Sequence, residues 1–111
     1  MKNWIDLREP PESLVALALS TDCDTRSCAS HDLGNYAHVK TVEILMILLD
    51  DEWWRVRSGA IDSLTHILAY EHLASYKQSV GLAISAHLEI EHDRETTIRI
   101  ISNFIAHPVI L

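Results

Sequence analysis

Leu48-Leu49-Asp50-Asp51-Glu52-Trp53-Trp54-Arg55-Val56-Arg57-Ser58-Gly59-Ala60 is the stretch from which the rest of the chain is read. Its skeleton returns 42 residues later, where Asp51, Val56, Arg57 and Ala60 correspond to Asp93, Ile98, Arg99 and Ser102 at one constant offset. An apolar segment precedes each copy, His38 to Leu49 and then Ser79 to Ile90. From Tyr36 to Leu49, Val39, Val42, Leu45, Met46 and Leu49 recur at steps of three and four, the spacing of one helical face. Behind the acidic turn, Val56, Ala60, Leu64 and Ile67 form a second row, which Ile61 and Leu68 widen. Carboxylates in such a turn suit the positive N-terminal end of the helix they precede.

A short acidic turn, then Val/Ile-Arg and a small residue, repeated at this period, resembles a HEAT repeat. The resemblance covers residues 36–107. It implies an all-α fold, a short HEAT-like α-superhelix of about five helices and two to two and a half repeats, whose stacked edge serves as a binding surface. The expected organisation is a single domain over 1–111, with a capping helix and loop at 1–33, a first repeat at 36–70 and a second at 74–107. The resemblance also implies an internal ladder in which turn aspartates pair with repeat arginines, Asp51 with Arg99 or Asp93 with Arg57.

Outside the repeats the chain is less regular. Pro10-Pro11 stops one segment and pre-sets the next, a short apolar helix from Glu12 to Leu19. Shifting the repeat frame back lands Leu14 on Val56 and Ala18 on Ala60, so this helix reads as a degenerate copy or a cap. The polar stretch over 20–33 reads as a loop, and it holds both cysteines, Cys23 and Cys28. A zinc set of Cys23, Cys28, His31 and His38 lacks the usual spacings, so the expectation is free thiols and no metal. Further helices are expected over 53–70, 74–91 and 94–106, the last ended by Pro108.

Charge narrows the function. Sixteen acidic residues against nine basic ones give a formal net charge of −7. Phosphate backbones are bound by Lys and Arg that displace counterions, so no nucleic-acid partner is expected. An acidic surface instead draws basic partners at long range. No apolar run reaches the roughly 18 residues of a membrane span, and the first residues lack a secretory core, so no membrane partner and a cytoplasmic address are expected.

Enzyme classes find little to hold. HEAT-type metal hydroxylases of the deoxyhypusine hydroxylase family bind iron through repeated His-Glu pairs. This chain carries the reverse order, Glu71-His72 and Glu91-His92, so no ligand is carried over. HEAT-like alkylpurine DNA glycosylases use a basic concave surface, which the acid excess opposes. There is no phosphate-cradling glycine loop and no nucleophile elbow. No catalytic residue, cofactor or metal is therefore expected.

A small, acidic, helical protein of this kind looks like a bacterial immunity protein of the contact-dependent growth inhibition type. Its partner would be a basic protein, a toxin domain and plausibly a nuclease, occluded in a one-to-one complex. The candidate partner-binding residues are Asp50, Glu52, Trp53, Trp54, Asp62 and His66, while Asp51, Arg57, Asp93 and Arg99 are assigned to the structural ladder. The alternatives are a small scaffold or adaptor subunit and, further off, a metal-dependent HEAT-type enzyme or a lyase acting on a bound pigment.

Overall fold

Proline at the entrance to a helix sacrifices no backbone donor, because the first N–H groups lack intrahelical partners anyway. α1 (Glu12–Ala18) accordingly starts directly behind Pro10-Pro11. It is followed by α2 (Cys23–Asp32), α3 (Val39–Leu48), α4 (Trp54–Ile67) and α5 (Lys77–Ile90), with 3-10 turns at Leu33–Asn35 and Glu71–Tyr76. The structure, a computed structural model, describes residues 5–90. Over that range the chain is all-α, apart from an isolated parallel bridge between Asp6 and Tyr36. The expected helix at 94–106, the pairs Asp93 with Arg57 and Asp51 with Arg99, and the Glu91-His92 dipeptide fall outside the described residues. Among the described residues no helix is long and apolar enough to cross a membrane.

The expected loop at 20–33 is corrected: most of it is α2. Its start is fixed by Asp22, whose carboxylate accepts from the Thr25 amide at 2.9 Å and from the Thr25 hydroxyl at 2.7 Å. Such a cap satisfies donors that the helix itself leaves unpaired. The same two bonds hold the Asp22 carboxyl below its ordinary pKa. α2 has no apolar periodicity because its buried residues are Ala29 and Ser30, a small-residue face without an apolar stripe.

That small face is what α4 packs against. A Cβ at Gly59 would run into the Ser30 hydroxyl and come within 2.9 Å of the His31 ring, so only glycine permits this approach. Ser63 closes the seam further along, donating its hydroxyl to the Ser30 carbonyl at 2.5 Å, and Gly34 lies against the same serine. α1 packs on α2 and α3 on α4, each pair joined by a short turn, so two helix pairs meet through their second helices.

The apolar core follows the α4 row read from the sequence. On the α3 side Val42, Leu45 and Leu49 are buried as expected, Val39 and Met46 are only half-buried, and Ile44 and Leu48 join the core instead. Val56, Ala60, Ile61, Leu64 and Ile67 of α4 are buried together with Val42, Ile44, Leu45 and Leu48 of α3. Burying the Val, Leu and Ile side chains among these is worth roughly 1.5–3 kcal/mol each. α5 joins through Val80 and Ile84, and the turn before it through Leu73. His72 Nε2 donates to the Ala37 carbonyl at 2.7 Å and braces that turn. The lead-in is tied down as well: the Asp6 amide donates to Asn35 O and the Ala37 amide to Asp6 O, both at 2.8 Å.

Candidate functional site

The turn from α3 to α4 gathers four of the six expected partner-binding residues. Asp50 and Glu52 are exposed there, and Trp53 and Trp54 are half-buried. Between them Asp51 turns inward. Its carboxylate accepts from the Trp53 amide at 3.0 Å, which sets the entry into α4 at the residue that caps it.

Asp51 is also one side of an ion pair that sequence reading missed. Arg26 of α2 grips it with two bonds, Nε at 2.8 Å and Nη2 at 3.1 Å. Its remaining nitrogen donates to the carbonyls of Ser20 and Thr21 at 3.1 Å each. The side chains of Arg26 and Asp51 are only 12% and 10% exposed, so this is a braced, largely desolvated pair rather than a surface contact. The hydrogen bond to Asp51 raises the Arg26 pKa further above its already high value. Glu52 stands 3.9 Å from the same guanidinium with its own side chain 91% exposed, available to an outside cation. A charged loop fixed from behind in this way loses little conformational freedom when something binds to it.

Arg57 was expected in a ladder, and it too faces the turn, donating to the Asp51 carbonyl at 2.8 Å. The two arginines share one arrangement. Arg26 bonds the carbonyl of Ser20 and Arg57 that of Asp51, six residues back in each case. Thr25-Arg26-Ser27 with Ala29 and Val56-Arg57-Ser58 with Ala60 match in sequence as well, at a separation of 31 residues. That match is masked in the sequence by the longer 42-residue spacing that follows Arg57.

The indoles carry the aromatic part of the site. Trp53 packs against the apolar core. The Arg55 guanidinium carbon lies 4.8 Å from the Trp54 ring centre and 5.7 Å from that of Trp53, within reach of cation–π attraction.

Asp62 and His66 do not join this cluster. They lie further along α4, His66 roughly 18 Å from Trp54 at 1.5 Å per residue. There they line a shallow pocket of about 160 Å³ with His31, Gly34, Asn35 and Ser63. His31 Nε2 stands 3.9 Å from the Asp62 carboxylate, which links α2 to α4. The Ser63 hydroxyl donates to the backbone carbonyls of Ser30 and, more weakly at 3.3 Å, His31. Cys23 and Cys28 are free thiols on α2, turned roughly 140° apart by their five-residue spacing. Among the described residues no three His, Cys, Asp or Glu side chains form a metal-holding group.

No family model matches the chain, and no curated protein or solved structure does either.

Proposed function

We propose that the chain is a protein-binding inhibitor, an immunity protein that occludes the active site of a basic toxin domain through the turn between α3 and α4. The observation that carries this reading is the braced turn, in which exposed Asp50 and Glu52 and two half-buried indoles adjoin in the chain around Asp51, which Arg26 holds. Carboxylates held in fixed positions pair with Lys or Arg that would otherwise hold a substrate phosphate, and a half-buried tryptophan is a common interface anchor. The reading includes no catalytic step and no cofactor. The two helix pairs meeting through their second helices, with the matching arginines, support a HEAT-like arrangement in which this turn lies on the stacked edge.

Co-purification from the native cell tests the reading. A single basic protein should be recovered at one-to-one stoichiometry, and Asp50→Asn with Glu52→Gln should loosen it. Recovery of an acidic partner, or a partner indifferent to both substitutions, would overturn it. The adaptor reading is favoured by a different region, since Leu7, Leu17 and Leu19 around α1 are exposed apolar side chains. A partner lost on Leu17→Glu and retained on Glu52→Gln would select that reading.

A further inference from the structure

We propose that the Trp53/Trp54 indole pair is an arginine-binding site for a basic segment of the partner, filled in the free protein by the chain's own Arg55. The inference rests on the reading above and names the side chain that the acidic turn receives.

Arg55 is exposed, and among the described residues it forms no ion pair. What holds its guanidinium is the two rings, at 4.8 and 5.7 Å. Its backbone position gives no help, since a cation in the first turn of α4 meets the positive end of the helix dipole. The resident guanidinium therefore reports what the indole faces accept: a planar, weakly hydrated cation that stacks, which a compact, strongly hydrated ammonium does less well. An arginine arriving from outside finds the same rings with exposed Glu52 and Asp50 beside them. Carboxylates add the charge-assisted hydrogen bonds that a guanidinium forms in pairs. Displacement swings Arg55 into water while the backbone of the turn stays fixed by Asp51 and Arg26. Arg55 thus acts as a placeholder, and it lowers the affinity for a competing arginine.

The full chain is titrated with a hexa-arginine and a hexa-lysine peptide, followed by tryptophan fluorescence and calorimetry. The arginine peptide should bind about fivefold tighter than the lysine peptide, the scale of a partly exposed cation–π contact. Arg55→Ala should widen that ratio about threefold by removing the resident cation, a gain of affinity that misfolding does not produce. Trp54→Ala should bring the ratio close to one. Equal binding of the two peptides by wild type and Arg55→Ala, or a ratio that survives Trp54→Ala, overturns the arginine site. If both peptides bind equally and Asp50→Asn with Glu52→Gln weakens both, the acidic turn stands and only the arginine site falls. If neither peptide binds, both readings fall.

Discussion

α2 and α4 are the two second helices of their pairs, and they are built on opposite principles. α4 carries a wide apolar stripe and buries Val56, Ala60, Ile61, Leu64 and Ile67. α2 buries only Ala29 and Ser30, and what fixes it is polar: the Asp22 cap, the serine seam and the Arg26–Asp51 pair. Yet both place an arginine on the carbonyl six residues behind it. One position in a fold can therefore be filled by burial or by directed bonds, provided the neighbouring helix offers a surface close enough to complete them.

This contrast can be tested by removing what each helix depends on. Leu64→Ala should cost about 3 kcal/mol in chemical denaturation, the usual penalty for emptying a fully buried leucine site. Arg26→Met should cost about 2 kcal/mol, less than a deep pair because some solvent reaches it, since it leaves Asp51 without its partner. Joining Arg26→Met with Asp51→Asn should cost less than the sum of the single changes. If Arg26→Met proves harmless, the ion pair does not hold α2, and the contrast is left to the Asp22 cap and the serine seam. Gly59→Ala should cost roughly 1–2 kcal/mol even though alanine favours helix, because its methyl meets Ser30. Ser30→Gly in the same chain should return part of that loss, which would locate the conflict in the seam.

The smallest effect is the dependence of α2 on acid. The Asp22 carboxyl is held below its ordinary value of 3.8 by the Thr25 bonds, so its stabilisation is fully present above that pH. It is lost as pH falls through the lowered value. Asp6 behaves the same way: the hydrogen bonds from Arg8 bring it to about 2. The protection factor of the Thr25 amide, exchange relative to the unfolded chain at the same pH, should therefore fall below pH 4 while that of Leu64 holds, and equal behaviour of the two helices would remove the distinction.

The same contrast explains which parts of the molecule were legible in sequence. α3 and α4 announced themselves because Val42, Leu45 and Leu49, and then Val56, Ala60, Leu64 and Ile67, repeat at helical steps. α2 did not, since Cys, Asp, Thr, Ser and His carry no apolar rhythm, and its one clear sign was a capping aspartate three residues before a threonine. The exposed acidic turn was readable because carboxylates and indoles adjoin in the chain. Its brace was not, because Arg26 and Asp51 lie 25 residues apart and only the fold joins them. Asp62 and His66 share a helix with Trp54, but the length of α4 carries them to a separate pocket.

The stitch of Asp6 to Asn35 and Ala37 turns the first helix pair into a closed parcel. A protease nick in the turn between α1 and α2 would leave two pieces still fastened at their far ends. The parcel should come apart only when the stitch yields, so trimming the chain past Asp6 would do more damage than cutting it in the middle.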